Sequence, residues 1–203
     1  MIRTILSFLL PAAAVLVTKS ATAETATTLD NLQTAFNGES NARERYRAFA
    51  GKAEQDGYGE VASLFRAASK AEEIHAANHA RVIREMGAEP RTAIETPNIR
   101  STRENLQAAM EGEIYERDQM YPPFVAEARA AKQAAAVRTF TYALKTEAEH
   151  ARLFGNALKD LEKLRGKSRT YYVCSECGYT VESLNFLKCL VCGHPKEDYL
   201  QVN

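Results

Sequence analysis

Two Glu-x-x-His tetrads, Glu72–His75 and Glu147–His150, stand 75 residues apart. Each follows a Gly-Glu pair, Gly38-Glu39 and Gly112-Glu113, which stand 74 apart. Around them Phe65 recurs as Phe140, and Asn31-Leu32-Gln33 recurs as Asn105-Leu106-Gln107. A pair of helices is written twice, and a duplicated pair closes most simply into a bundle of four.

The helical period is explicit in the second segment. Val61, Leu64, Phe65, Ala68, Glu72, His75, His79, Val82 and Met86 advance by three or four residues, apart from the adjacent Leu64-Phe65 pair. They make one inward stripe. In the fourth segment Phe140, Leu144, Glu147, His150, Phe154, Leu158 and Leu161 do the same. Gly87 suits a left-handed helix end. Ser101 with Glu104 forms a capping box that opens the third helix. The first is expected from about Leu29 to Gln55, and Pro122-Pro123 should kink or interrupt the third. Asp56-Gly57-Tyr58 is a short turn, which makes helices one and two antiparallel neighbours. Gly87 to Arg100, with Pro90 and Pro97, is long for a helix hairpin and suits one crossover. The expected class is all-α, a ferritin-like four-helix bundle.

The inward stripes carry residues a plain core excludes: Glu39, Glu72, Glu113 and Glu147, with His75 and His150. Four converging carboxylates would repel one another, raise their pKa values and strain the fold. Two divalent cations remove the conflict, four negative charges against four positive. Glu-x-x-His puts both side chains on one face, one turn apart. One Glu from each of two helices plus Glu-x-x-His from each of the others is the di-iron carboxylate arrangement, suited to iron or manganese.

One acid breaks the repeat. Glu116 follows Glu113 by three residues, and its counterpart in the first helix is Ala42. As a seventh ligand it makes the two metals inequivalent; the alternative is an ordinary surface glutamate. His79 lies one turn beyond His75 and reads as a supporting or core residue rather than a ligand. Tyr46 and Tyr121 can point back at the site, to hydrogen-bond carboxylates or to fill core.

All four cysteines fall in the last 30 residues, as two CxxCG knuckles: Cys174, Cys177 and Gly178, then Cys189, Cys192 and Gly193. Four thiolates bind zinc or iron tetrahedrally, and the spacing does not choose between them. Two disulfides are the alternative. Tyr171, Tyr172, Tyr179 and Tyr199 can pack a core too small to stand without the ion, after a linker at Leu164 to Ser168.

The first residues read as a cleaved secretory signal. Arg3 precedes an apolar run from Ile5 to Val17, and Ala21-Thr22-Ala23 gives the small-x-small site. The run is too short to span a bilayer, which takes roughly 20 residues. A buried helix or an uncleaved anchor is the alternative. The expected domains are a signal at 1–23, the bundle at 24–165 and the four-cysteine domain at 169–203. Cleavage leaves 24 basic and 26 acidic residues, net about −2. No field of that size recruits nucleic acid or an anionic membrane. A bacterial, periplasmic protein with no membrane anchor after cleavage is expected.

Taken together these motifs resemble the rubrerythrin family. The residues that carry the resemblance are Asn37 to Ala42, Ala71 to Ala76, Glu111-Gly112-Glu113 with Glu116 and Met120-Tyr121-Pro122, Glu147 to His150, and the paired CxxCG ending in Cys192-Gly193-His194-Pro195-Lys196. The resemblance implies a non-haem di-iron peroxidase. Hydrogen peroxide would be reduced to water, with electrons from an unidentified donor relayed through a rubredoxin-like iron. It implies Glu39, Glu72, His75, Glu113, Glu147 and His150 as di-iron ligands. Glu116 becomes a carboxylate that exchanges with His75, Tyr46 and Tyr121 supporting tyrosines, and Cys174, Cys177, Cys189 and Cys192 ligands of the third iron. It also implies homodimers in which one subunit's rubredoxin-like iron approaches the other's di-iron site. The rival reading is a ferroxidase or iron-handling protein with a structural zinc tail.

Overall fold

A computed structural model of the chain describes residues 20–203, with side chains from Thr27 onward. Residues 1–19, which hold the apolar run of the expected signal, lie outside the described residues. Among the described residues five α-helices make the bundle: α1 (Ser20–Gln55), α2 (Gly59–Glu85), α3 (Thr102–Tyr115), α4 (Tyr121–Ala130) and α5 (Ala134–Lys159). The first helix starts earlier than the periodicity suggested, so the expected cut after Ala23 falls in its first turn.

The third arm of the bundle is α3 and α4 joined by a π-helical turn, Glu116–Met120. The prolines explain its place. Pro122 and Pro123 have no N–H to return to the preceding turn, so the ladder widens just before them and resumes as α4, with Pro in its first turn. The predicted interruption is therefore a widened turn, and Glu116 is its first residue.

Ser101 and Glu104 form the reciprocal capping box at the start of α3. Gly87, at φ 80°, ends α2. The crossover between them is stitched to α1 by one row of side chains at i, i+4 and i+8. Gln33 donates to the Glu89 carbonyl and accepts from the Arg91 N–H. Asn37 accepts from Thr92 and from the Ala93 N–H. Asn41 donates to the Ala93 carbonyl and accepts from the Glu95 N–H. A long loop thereby keeps its backbone groups paired without secondary structure of its own.

The core divides into two apolar clusters with a polar layer between them. Tyr46, Phe49, Phe65 and Phe154 anchor one, and Leu32, Val82, Ile83, Tyr121 and Phe140 anchor the other. The buried glutamates occupy the layer between.

After α5 a 3-10 turn (Leu161–Leu164) leads back along α2. The Gly166 N–H donates to the Gly57 carbonyl. A Cβ on Gly59 would sit 2.2 Å from the Gly166 carbonyl oxygen, so this close crossing requires glycine there. The four-cysteine domain is a small antiparallel sheet in the order β2-β1-β3, with β1 at Tyr171–Cys174, β2 at Thr180–Val181 and β3 at Tyr199–Val202. Strand alternation splits the expected tyrosine core. Tyr171 and Val173 face the bundle and join its core, whereas Tyr172, Tyr179 and Tyr199 pack around the cysteines.

Candidate metal centres

Six buried side chains converge at the middle of the bundle. Glu39, Glu72, His75 and Glu147 offer ligand atoms within 4.8 Å of one another, and so do Glu72, Glu113, Glu147 and His150. Glu72 and Glu147 belong to both sets. Two carboxylates are thus shared, and each end adds one Glu and one His. The sequence placed all six here. Glu116 joins neither set: it is half-buried at the start of the π-turn.

The polar atoms of this cluster are poorly satisfied by one another. Glu39 Oε2, Glu72 Oε1, Glu113 Oε2, both Glu147 oxygens and His150 Nδ1 are buried without a hydrogen-bond partner. His150 Nδ1 is 3.1 Å from Glu147 and 3.2 Å from Glu72, yet in hydrogen-bond geometry to neither. Lone pairs that point at a common centre rather than at each other are what a pair of cations would fill. The donor set of oxygens and imidazole nitrogens fits two irons.

The electrostatics agree. Burial, then repulsion from Glu72 and Glu147, raises the Glu39 pKa well above the carboxylate range. Burial with Glu147 and Glu72 pushes Glu113 up to about 8. Burial would raise Glu72 too, but His75 and His150 hold it down to about 2. His75 and His150 are raised against their burial by the carboxylates around them. Glu116 is raised by burial and then by Glu39 and Glu113, so it feels the cluster without entering it.

Each tyrosine crosses the bundle. The Tyr46 hydroxyl, from α1, donates to Glu113 on α3. The Tyr121 hydroxyl, from α4, donates to Glu39 on α1. Both expected tyrosines therefore hold carboxylates as well as filling core. His79 does not reach the cluster; its Nε2 meets the Tyr121 hydroxyl at 3.1 Å.

The four thiols form the second centre. All Sγ atoms lie within 4.8 Å of each other. Cys174 and Cys192 are 3.5 Å apart, and Cys177 and Cys189 are 3.6 Å apart. A disulfide needs about 2.05 Å, so that alternative fails. A tetrahedron of roughly 2.3 Å metal–sulfur bonds has edges near 3.8 Å, which fits. The knuckles repeat each other. Backbone N–H groups of Glu176 and Cys177 face the Cys174 sulfur and that of Tyr179 faces Cys177, while those of Cys192 and His194 face Cys189 and Cys192. Gly178 and Gly193, both at φ 78°, make the two turns possible.

Sequence reasoning missed how the two centres meet. The first knuckle sits on the bundle, over the histidines. His75 Nε2 lies 3.0 Å from the Cys177 carbonyl oxygen, and His150 Nε2 lies 3.1 Å from the Thr180 hydroxyl. Thr146 donates to the same Cys177 carbonyl, and Asn78 donates to the Glu176 carbonyl. A Cβ on Gly178 would come 2.6 Å from His75 Nε2. Both imidazoles thus present Nδ1 to the carboxylates and Nε2 to the knuckle, a division of labour that fixes tautomer and ring orientation. Within one chain the four-cysteine domain covers the carboxylate cluster. The link after α5 is short and pinned at Gly57 and Gly59, which leaves β1 against α2 of the same chain.

The rubrerythrin family profile matches residues 30–158. Rubrerythrin-2 of Clostridium acetobutylicum is 36% identical over 180 residues, covering 86% of this chain and 96% of the relative. Nigerythrin of Nitratidesulfovibrio vulgaris is 36% identical over 174 residues, 85% of each chain. The solved structure of fully reduced, all-ferrous nigerythrin superposes with a TM-score of 0.79 at 35% identity, covering 86% of both chains. With a glutamate–histidine cluster that fits a di-iron site and four cysteines that fit a rubredoxin-like iron site, the chain belongs to the rubrerythrin family.

Proposed function

We propose that this protein is a peroxidase that reduces hydrogen peroxide to water and receives its electrons through the four-cysteine iron. The observation that carries this reading is the His75–Cys177 contact. One hydrogen bond separates the backbone of a thiolate ligand from the ring of an imidazole ligand. A storage or ferroxidase site has no use for such a link.

Glu39, Glu72, His75, Glu113, Glu147 and His150 would hold two ferrous ions, which would supply the two electrons that peroxide reduction consumes. The chain does the rest. Glu72 and Glu147 belong to both ligand sets and would hold the pair together. Buried aromatic clusters on either side keep bulk water out. Tyr46 and Tyr121 donate to Glu113 and Glu39, leaving those carboxylates oriented and partly neutralised. Protons for the leaving oxygens come from water and from Glu116, the carboxyl group beside the cluster that lies outside both ligand sets and whose pKa burial raises. Glu116 is the fifth carboxylate and would be the seventh ligand. From the widened turn it stands ready to replace His75, and such turns are common at working sites.

We further place the protein in the periplasm as a homodimer, exported by residues 1–23. The 13-residue apolar run and the Ala-Thr-Ala site support the export reading. An NADH pool is absent there, so the donor is a membrane-linked or cytochrome-type carrier. NADH-dependent turnover in cytosolic extract, with none in periplasmic extract, would overturn this placement.

The deciding experiment mixes the anaerobic, fully reduced protein with hydrogen peroxide or with dioxygen in a stopped-flow instrument. A peroxidase oxidises faster with peroxide, and the red colour of the ferric thiolate site appears in step. Faster oxidation by dioxygen, release of ferric product and a colourless tail would support the ferroxidase reading instead.

A further inference from the structure

The internal repeat shows what the plain packing solution is beside each tyrosine. With the offset of 75 that relates His75 to His150, His79 corresponds to Phe154 and Thr139 to Leu64. Phe154 and Leu64 are buried and apolar, and Phe154 packs against Tyr46 at 5.4 Å between ring centres. At the Tyr121 end the same two positions hold an imidazole and a hydroxyl, equally buried. A buried polar pair where the sister half uses Phe and Leu is costly unless each group is bonded.

Each group is bonded, and in series. Thr139 Oγ1 is 3.0 Å from His79 Nδ1. His79 Nε2 is 3.1 Å from the Tyr121 hydroxyl, which reaches Glu39. Once metal keeps Glu39 ionised, that carboxylate only accepts. Tyr121 therefore spends its one proton on Glu39, and its oxygen accepts from His79 Nε2–H. That leaves Nδ1 to accept the Thr139 proton. The ring packs against Tyr121 at 6.1 Å and Phe140 at 5.5 Å between ring centres.

We propose that His79 is a positioning residue: with Thr139 it fixes Tyr121 as an oriented, polarised donor to Glu39, and so makes the Glu39–His75 end of the centre unlike the Glu113–His150 end. The proposal rests on Glu39 being a metal ligand. A hydroxyl that both accepts and donates is a stronger donor than one that only donates, so Glu39 gives less charge to its metal. Behind Tyr46 stands not an imidazole but the Arg45 guanidinium, 5.7 Å over its ring and interacting with its hydroxyl, so the two tyrosines are polarised by different groups. The pair His79–Thr139 is therefore a second source of asymmetry, independent of Glu116. Burial lowers the pKa of the ring and keeps it neutral, so it stays in the role across the working range.

The test transplants the sister half's own solution. In full-length, iron-loaded protein, the double variant H79F/T139L restores the Phe–Leu pair and should fold without a cavity. Mössbauer spectra of the diferric form should show one of the two quadrupole doublets moving and the other unchanged. H79Q keeps an N–H donor near Tyr121 and should move that doublet back toward the native position. In a Tyr121→Phe background H79F/T139L should have no further effect on either doublet. Peroxide turnover should fall about tenfold in kcat, the loss of one good hydrogen bond, with KM unchanged. Two unmoved doublets with native kcat, or an equal shift in the Tyr121→Phe background, would reduce His79 to core packing. The spectrum judges the proposal even if the wild-type protein does not reduce peroxide, which would defeat only the peroxidase reading.

Discussion

His75 Nε2 and the carbonyl oxygen of Cys177 lie 3.0 Å apart, and this bond ties the two metal centres into one unit. Gly178, the next residue, controls the distance. A methyl group there would lie 2.6 Å from His75 Nε2 and 3.2 Å from the Ala71 carbonyl oxygen. At φ 78° any side chain is strained as well. Gly178→Ala should lift the knuckle from the bundle while leaving both ligand sets in place. Metal content should stay native, and electron transfer from the four-cysteine iron should slow by about tenfold or more, as ångström-scale misplacement does elsewhere. Rapid mixing of reduced protein with peroxide reads this directly. A native rate in Gly178→Ala would mean that the contact is not the electron route.

Glu147 is shared by both ligand sets, so removing it should empty both ends together. Glu147→Gln is expected to keep one iron per chain, the thiolate-bound one, and its red colour. Cys189→Ser should do the reverse, keeping the carboxylate pair and losing the colour. Metal-free Glu147→Gln should be less stable than the metal-free parent by about 3 kcal/mol, because Glu147 lies 3.0 Å from His75 Nδ1 and 3.1 Å from His150 Nδ1 and offsets both imidazoliums once the metal is gone. Chelator-treated samples compared by urea unfolding check the sign. A more stable variant would show that repulsion among the carboxylates outweighs these pairs.

The ligand set was legible because each ligand sits on a helix, where spacing alone fixes the face. Glu72 and His75 are three residues apart, so one turn brings them together whatever the rest of the chain does. The capping box at Ser101 and the break before Pro122 were legible for the same local reason. The docking of the knuckle was not. It depends on a carbonyl oxygen at Cys177 and on the missing side chain at Gly178, and neither carries a sequence signal of its own beyond the CxxCG turn. Tyr171 was assigned to the wrong core because its partner surface, α2, lies about 100 residues away, and strand alternation cannot say which sheet face is covered. The row Gln33, Asn37 and Asn41 was visible at spacing four, but its use in holding the crossover appears only with the loop in place.

Metal-free protein should lose stability as pH rises. Glu39, Glu113, Glu116, His75 and His150 all have folded pKa values above their ordinary ones. Each holds a proton in the native state that the unfolded chain gives up, from pH 4.5 for the glutamates and 6.5 for the histidines. Their contribution is full below those values and is lost as pH climbs, through about 8 for Glu113. Glu72, lowered to about 2, acts oppositely, losing its contribution as pH falls from 4.5 toward 2. The optimum of the metal-free form should therefore lie near pH 5, with a fall of about 1.4 kcal/mol per pH unit for each such proton. Iron loading replaces the protons and should reverse the slope between pH 5 and 8. Thermal midpoints of stripped and loaded samples at both ends of that range measure it. A flat stripped profile would mean that the carboxylates separate when the metal leaves.

Tyr199 should tune the four-cysteine iron. Its hydroxyl is buried without a hydrogen-bond partner, and the residue pairs across the sheet with Cys174 and packs on the cysteines. Burial and then the neighbouring Cys189 thiol push its pKa up. Metal binding turns Cys189 into a thiolate, which gives the orphan O–H an acceptor. A donor to sulfur stabilises the more negative, ferrous state of the site over the ferric one. Tyr199→Phe keeps the ring against Phe186 and removes only that donor. The reduction potential of the thiolate site should shift to a more negative value with the metal count and the fold unchanged. Electrochemical titration followed at the red absorption reads the shift. An unchanged or more positive potential would place the hydroxyl outside the sulfur's reach and leave its burial to be explained by packing alone.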